Sequence, residues 1–320
     1  MDLQEVRVRC TPVNESRNGV LSAVAAFFLW GVLPIFWKHL HFLPPASIIA
    51  HRTLWSLLLL LPVLAFQRQL WTMLRGISTL RGAGWHLLSG VLLGSNWLLY
   101  VWATLNNHIL EGALGYYLNP FLNMLFGALF FGERQNRLQM LAVAVAASGV
   151  ACQFPAVKGV PWIALVLAVT FALYAVVRKK APLGALAGLG AETALLAPIA
   201  LGWLIWRGTQ GVELFGPSGW TAALVICTGI ATATPLLCFG HATRTISLTS
   251  LGILQFIGPT LQFLIGWGMY GEPLNTLRLI SFGLIWTAVA IYAVDALKRG
   301  TKKGPPQTDS PLENQKVAAD

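Results

Sequence analysis

Ten apolar stretches alternate along the chain with short segments that hold most of its charged residues. The stretches, here named spans 1 to 10, cover 19–37, 46–66, 84–104, 111–131, 137–155, 160–177, 184–206, 219–241, 248–270 and 276–297. Each is close to the roughly 20 residues that a helix needs to cross a hydrocarbon core of about 30 Å. The pattern therefore predicts an all-α membrane protein with ten transmembrane helices.

Composition favours a membrane protein over a soluble one. The chain is 56% hydrophobic and 11% charged, whereas a soluble domain carries about 25% charged residues. Its 22 Lys and Arg residues outnumber its 12 Asp and Glu residues, but they are spread between the spans and form no patch. This spread is typical of charges that orient helices in a bilayer. A lipid bilayer is therefore expected as a partner, and nucleic acid is not.

The positions of the basic residues predict the orientation of the spans. With the N-terminus inside, the cytoplasmic segments hold 17 of the 22 Lys and Arg residues, the external loops hold 4, and Arg52 lies within span 2. Cytoplasmic segments of membrane proteins carry an excess of such residues, so both termini are predicted to be cytoplasmic. Residues 1–18 are interpreted as a cytoplasmic N-terminal segment and 298–320 as a disordered cytoplasmic tail.

An internal repeat divides the apolar region into two halves. Residues 119–138 align with residues 258–277 at an offset of 139, and 8 of the 20 positions are identical. The identical pairs are Pro120/Pro259, Leu122/Leu261, Leu125/Leu264, Gly127/Gly266, Gly132/Gly271, Glu133/Glu272, Asn136/Asn275 and Leu138/Leu277. The copies lie five spans apart, so the second must cross the membrane in the opposite direction. The sequence predicts two inverted five-helix repeats, 19–155 and 156–297, with a site between them near the midplane.

Polar side chains form stripes along one face of several spans, as Tyr116, Asn119 and Asn123 do on span 4. The candidate substrate-binding residues are Trp30, Asn96, Tyr100, Tyr116, Asn119, Asn123, Tyr174, Gln255 and Gln262. Amides that face lipid are costly, so the stripes are expected to point inward. Two interpretations stay open. The stripes line a central cavity, which Pro120 and Pro259 favour by leaving backbone groups unpaired, or they join helices through hydrogen bonds.

Two charged residues lie well inside the spans, Arg52 in span 2 and Glu192 in span 7. Each costs about 2.5–3.5 kcal/mol at the centre of a helix on insertion scales, so both are candidates for gating or coupling. The dipeptide Arg52-Thr53 matches Glu192-Thr193 at an offset of 140. The two charges are expected either to form one structural ion pair or to serve one gate each.

Sequence motifs for catalysis and metal binding do not occur in the chain. The 6 His residues lack His-x-x-x-His and Glu-x-x-His spacing, and G-x-S-x-G, H-E-x-x-H and phosphate-loop patterns are missing. These spacings are what metal sites and the common hydrolytic sites require. The expectation is therefore that the chain is not an enzyme and binds no metal and no cofactor.

Several motifs resemble those of a known transporter family. Trp30-Gly31-Val32-Leu33-Pro34 and the Gly-Glu pairs after spans 4 and 9 resemble two tandem EamA domains. The segments closest to the RarD branch are Gly94-Ser95-Asn96-Trp97-Leu98-Leu99-Tyr100, Leu114-Gly115-Tyr116 with Asn119-Pro120, Val177-Arg178-Lys179-Lys180, Pro235-Leu236-Leu237-Cys238-Phe239 and Ile257-Gly258-Pro259-Thr260. The resemblance covers about 19–297. It implies a ten-helix member of the drug/metabolite transporter superfamily in the bacterial inner membrane.

The resemblance implies that the partner is a small-molecule substrate, either a metabolite or a drug. Because the sequence holds no ATP-binding domain, the expected mechanism is secondary transport, with export by alternating access around a central aromatic and amide cavity. The alternative is a membrane receptor or assembly scaffold without transport activity, which would favour large soluble loops that the sequence lacks. A homodimer is compatible with either function.

Overall fold

The structure, a computed structural model, describes residues 17–132, 136–152, 161–246 and 254–302. The helices in these ranges are α1 Arg17–Lys38, α2 Pro45–Phe66, α3 Leu70–Ile77, α4 Leu80–Leu105, α5 Ile109–Phe131, α6 Arg137–Ala151, α7 Trp162–Lys180, α8 Ala185–Thr209, α9 Gly219–Thr245, α10 Ile257–Leu264 and α11 Thr276–Lys302. A π-helix, Ile265–Met269, continues α10. These ranges hold no strand, so the predicted all-α membrane class is confirmed for the described residues.

Six of the described helices are long and apolar enough to cross a membrane. They are Arg17–Lys38, Pro45–Phe66, Leu80–Leu105, Leu186–Thr209, Gly219–Phe239 and Thr276–Asp295, and the shorter apolar helices are Arg137–Ala151 and Trp162–Arg178. A helix lies within each of the 10 predicted spans. That all of these helices cross the bilayer stays a prediction.

The bounds of some elements differ from those predicted from sequence. The short helix α3 lies between spans 2 and 3 and was not predicted; it buries Met73 against α2 and α8. The helix α11 continues to Lys302, past the predicted end of span 10 at 297. Residues 1–16 and 303–320, which make up most of the predicted terminal segments, lie outside the described residues, as do residues 247–253 at the predicted start of span 9.

Identical residues of the sequence repeat have identical local roles. Gly132 and Gly271 both adopt the left-handed conformation, with φ of 65° and 62°, where each ends a helical segment. A residue without Cβ is favoured there because side chains crowd the backbone at positive φ. Oδ1 of Asn136 accepts a hydrogen bond from Gln139 N at the start of α6. Oδ1 of Asn275 likewise caps α11. Gly132 and Gly271, and likewise Asn136 and Asn275, thus have matching roles at the end of one helical segment and the start of the next.

Helix packing also occurs in matching sets when each helix is compared with the one five spans later. Helix α1 packs against α9 and α10, and its counterpart α7 packs against α4 and α5. Helix α2 packs against α8 and α9, and its counterpart α8 packs against α2 and α4. One apolar core lies among α5, α6, α7, α10 and α11, and another lies among α1, α2, α4, α7 and α9. A further contact region involves α2, α4, α8 and α9: α2 packs against the other three helices, and α4 also packs against α8.

Candidate functional site

A narrow cavity lies at mid-length among α2, α4, α8 and α9. Its wall consists of Arg52, Thr53, Ser56, Leu60, Gly90, Leu93, Gly94, Trp97, Leu189, Glu192, Thr193, Leu196, Thr232, Ala233 and Leu236. Its free volume of about 20 Å³ exceeds the roughly 10–15 Å³ that one water molecule needs by this measure. This volume is too small for an organic solute.

The wall of the cavity is built from equivalent positions of the two halves. Twelve of its fifteen residues form pairs at a constant offset in sequence. At an offset of 139 the pairs are Leu93/Thr232, Gly94/Ala233 and Trp97/Leu236, and at an offset of 140 they are Arg52/Glu192, Thr53/Thr193 and Ser56/Leu196. The frame of the cavity is therefore nearly symmetric, while the charges on it are not.

Arg52 is the cation of the first half. It is 3% exposed, and its Nε donates a hydrogen bond of 3.1 Å to Thr232 Oγ1. The guanidinium lies 3.8 Å from the ring centroid of Trp97 and 5.3 Å from that of Trp37. Such cation–π contacts stabilise a desolvated cation by about 2 kcal/mol. Aromatic faces and one hydroxyl thus hold the arginine in the wall of the cavity.

Glu192 is the anion of the second half, and its ion-pair partner is Arg178. Oε1 of Glu192 lies 3.3 Å from Nη1 of Arg178, and it accepts a hydrogen bond of 2.7 Å from Ser89. Oε2 accepts a longer one, 3.4 Å, from the hydroxyl of Tyr174. In this structure Arg52 and Glu192 share a cavity without pairing with each other.

The role of Arg178 in this ion pair was not predicted, because the residue follows span 6 and was counted among the cytoplasmic loop charges. The helix α7 continues through Arg178 to Lys180, so the arginine has a helical side-chain direction and its stem can run back along α7. Nη2 also donates to Gly184 O, which holds the guanidinium between α7 and α8. A basic residue at the end of an apolar span is common, and the sequence carried no further signal that this one turns inward.

Several of the predicted substrate-binding residues join helices. The side-chain amide of Asn96 donates to Leu167 O at 2.7 Å and to Thr170 Oγ1 at 2.9 Å, which links α4 to α7. Nε2 of Gln262 donates to Trp30 O at 3.2 Å and links α10 to α1. These bonds are of the kind that the interhelical interpretation describes.

Other atoms of the stripes are buried without a hydrogen bond in the described part of the chain. They are Oδ1 of Asn119 and of Asn123, Oε1 of Gln262 and the hydroxyl of Tyr100. Tyr116 reaches Oδ1 of Asn96 at 3.4 Å, and Gln255 is half-buried just before α10. None of the nine predicted substrate-binding residues is in the wall of this cavity, whereas both predicted gating residues are. A binding role for the stripes stays a prediction.

A set of polar contacts lies at the end of the bundle that is predicted to be external. Glu272 is 3% exposed, and its carboxylate accepts hydrogen bonds from the backbone N–H groups of Ile109 and Leu110 at 2.6 and 2.9 Å. A carboxylate is favoured there because the first N–H groups of a helix carry partial positive charge. Nη2 of Arg278 lies 3.7 Å from Oε1 of Glu111. These contacts tie α5 to α11 and to the segment between the π-helix and α11.

The apolar helices and the charged cavity define the class of the chain, a multi-pass α-helical membrane protein. The sequence pattern of the EamA-like transporter family matches residues 17–154. Protein RarD of Escherichia coli is 40% identical over 293 residues, which span 90% of this chain and 99% of that protein. A Vibrio cholerae protein named "Uncharacterized transporter" is 39% identical over 89% of this chain and 95% of its own. The chain belongs to the RarD-type EamA transporters.

More distant proteins agree with this assignment. A Pseudomonas aeruginosa relative named "Chloramphenicol-sensitive protein RarD" is 30% identical over 90% of this chain and 99% of its own length. One crystal structure, of a protein with 20% sequence identity, covers 87% of this chain and 98% of its own with a TM-score of 0.59. That likeness concerns the fold alone. The resemblance given by the motifs is confirmed, and the family indicates a membrane transporter and not an enzyme.

Proposed function

We propose that the chain is a secondary transporter that exports small organic solutes across the bacterial inner membrane, without a cofactor, by alternating access. The solute passes through the cavity among α2, α4, α8 and α9. The observation that carries this proposal is the wall of the cavity, where Arg52 and Glu192 occupy equivalent positions of the two halves. Transporters built from inverted repeats hold their substrate between the repeats, near the midplane.

Local packing supports the inverted repeat on which this mechanism depends. A Cβ built on Gly90 of α4 would lie 3.4 Å from the carbonyl oxygen of Glu192 on α8, and one on Gly229 of α9 would lie 2.7 Å from the carbonyl carbon of Trp55 on α2. Gly90 and Gly229 are 139 residues apart. Close approach of helix backbones at small residues is typical of membrane bundles. Both halves therefore bring their helices together over the cavity in the same way.

The polar contacts of Glu272 supply one of the two closed states that alternating access requires. While the carboxylate of Glu272 holds the first N–H groups of α5, the end predicted to be external is shut. Opening that end requires these hydrogen bonds to break and the cavity to widen. We therefore assign to Glu272 the closure of the end that is predicted to be external.

Solute profiling tests the proposed transport most simply. A bacterial strain that lacks the protein is compared with the same strain producing the wild type, Arg52→Gln or Arg81→Gln, with mass spectrometry of cells and medium. At least one small solute is expected to move from cells to medium with the wild type. Arg52→Gln should abolish this because it alters the wall of the cavity. The exposed Arg81 provides a matched control that should transport normally.

The result that would contradict transport is a set of solute pools that do not differ between the strains, at wild-type levels of protein in the membrane. That result would favour the alternative of a receptor or assembly scaffold. Transport by Arg52→Gln at the wild-type rate would exclude the cavity as the path while leaving a transporter function in place.

A further inference from the structure

The three charged groups at the cavity do not balance one another. Arg178 and Glu192 form an ion pair and neutralise each other. Among the described residues no carboxylate lies within ion-pair distance of Arg52, although this arginine is 3% exposed. A buried charge without a counter-ion is strongly unfavourable. One positive charge on the wall of the cavity is therefore left without a counter-ion in the described part of the chain.

The guanidinium of this arginine has a free edge, and the arginine lies in the wall of the cavity. Nε donates its hydrogen bond to the hydroxyl of Thr232, and the rings of Trp97 and Trp37 lie over the guanidinium. The two terminal amino groups form no hydrogen bond with the described part of the chain, and Arg52 is one of the residues that line the cavity. Their N–H groups form a planar fork whose geometry matches the two oxygens of a carboxylate. The arginine is thus held through Nε and its faces, and its terminal amino groups are left without a protein partner in the described part of the chain.

We infer that Arg52 binds the carboxylate of the transported solute, and that the substrates are small monocarboxylates with an apolar body. This inference rests on the proposed transport function. A monoanion leaves the site neutral, whereas a dianion would carry an excess negative charge into the membrane. Leu60, Leu93, Leu196 and Leu236 supply apolar surface on the same wall for the body of the solute.

Differences between equivalent positions of the two halves explain why only one half carries the anion site. The position equivalent to Trp97, which stacks on Arg52, is Leu236, and the position equivalent to Thr232, which accepts from Arg52 Nε, is Leu93. Glu192 therefore lacks the equivalent contacts and is paired instead with Arg178 from α7. The anion-binding edge is a property of the first half alone.

Binding to the purified full-length protein tests the inference without any need to know the natural substrate. The probe is sodium benzoate, compared with benzamide, which has the same ring and no charge, and with sodium chloride at equal ionic strength. Benzoate is expected to raise the Tm by about 3 °C or more at saturation, since ligand binding to the folded state stabilises it. Benzamide and chloride should leave the Tm unchanged.

Variants of Arg52 test whether the Tm increase with benzoate depends on the planar guanidinium of this arginine. Arg52→Gln should weaken benzoate binding about tenfold or more, because a charge-assisted bond is lost. Arg52→Lys, which keeps the charge but lacks the planar fork, should retain part of the response. Arg81→Gln is the control and should bind benzoate like the wild type. Without ligand, Arg52→Gln is expected to match or exceed the Tm of the wild type, since it removes an uncompensated buried charge.

A purely structural role for Arg52 gives the opposite pattern, in which Arg52→Gln lowers the Tm and benzoate has no effect on the wild type. Equal responses to benzoate and benzamide, or a response to chloride alone, would also overturn the inference. The proposed transport can fail separately. Arg52-dependent benzoate binding in a protein that moves no solute would contradict transport and keep the carboxylate site. Arg52-dependent transport without any preference for benzoate would contradict the site and keep transport.

Discussion

Replacement of Arg178 by Met is expected to lower the free energy of unfolding by about 3–5 kcal/mol, because it leaves the buried Glu192 carboxylate without its counter-ion. Glu192 is 2% exposed, and the pair is separated by 3.3 Å. Met keeps most of the apolar stem of the arginine, so the loss reports mainly on charge. Addition of Glu192→Gln to the same chain removes the unpaired charge and should recover most of the loss. The Tm of the detergent-purified protein measures each step.

Arg75→Met is the matched control for this cycle. Arg75 is exposed at the end of α3, so its loss should change stability by no more than about 0.5 kcal/mol. An equal loss in Arg178→Met with and without Glu192→Gln would show that packing, and not the ion pair, accounts for the effect.

Transport gives a second readout for Glu192, since Glu192→Ala should abolish transport. Full transport by Glu192→Gln at every pH would exclude a coupling role for this carboxyl group.

Replacement of Glu272 by Ala is expected to cost about 3 kcal/mol or more, because two buried backbone N–H groups lose a charged acceptor. These groups begin α5, where a negative charge also interacts favourably with the helix dipole. Glu272→Gln keeps one oxygen acceptor and should lose about half as much. The expected result is a lower yield of folded protein for Glu272→Ala, measured as the monodisperse fraction after detergent extraction, together with a lower Tm.

Glu213→Ala provides the comparison for Glu272, since Glu213 is exposed in the segment between α8 and α9. It should leave both yield and Tm close to the wild type. A Glu272→Ala protein as stable as Glu213→Ala would mean that the N–H groups of α5 find other acceptors. The contacts at this end would then not be what holds the bundle shut.

Much of the fold could be predicted from sequence because a helix that crosses the bilayer needs a long apolar stretch. Apolar length predicted where helices occur, and the eight identities of the repeat marked residues with backbone roles, such as Gly132 and Gly271 at positive φ. The helix α3 was not predicted, because it depends on tertiary packing, as the burial of Met73 against α2 and α8 shows.

The candidate site could be predicted only in part. Arg52 and Glu192 stood out because a charge within an apolar span is costly, and their offset of 140 already indicated equivalent positions. Apart from Trp97, the remaining wall is Leu, Gly, Ala, Ser and Thr, which do not stand out in an apolar sequence. For Asn96 and Gln262, the sequence required an inward direction but could not distinguish a cavity from a neighbouring helix, and both reach a backbone carbonyl of another helix.

The central claim is that the path of the solute runs through the cavity among α2, α4, α8 and α9, and cysteine accessibility tests it most directly. In a transport-competent chain whose four cysteines are replaced, single cysteines are placed at Ser56 and Leu196, the equivalent wall positions. A third is placed at Asn123 on the α5 stripe. Ala144, exposed on α6, is the control that faces lipid. A small hydrophilic thiol reagent and protection by sodium benzoate are the readouts.

The predicted result is that the cysteines of Ser56→Cys and Leu196→Cys react as the cavity opens and that benzoate protects them, while that of Ala144→Cys stays inert because the reagent does not enter lipid. The result that would contradict the claim is a pair of unreactive wall cysteines in chains that still transport. If the cysteine of Asn123→Cys reacts in chains of the same kind while the wall cysteines do not, the path runs along α5 and α10 instead.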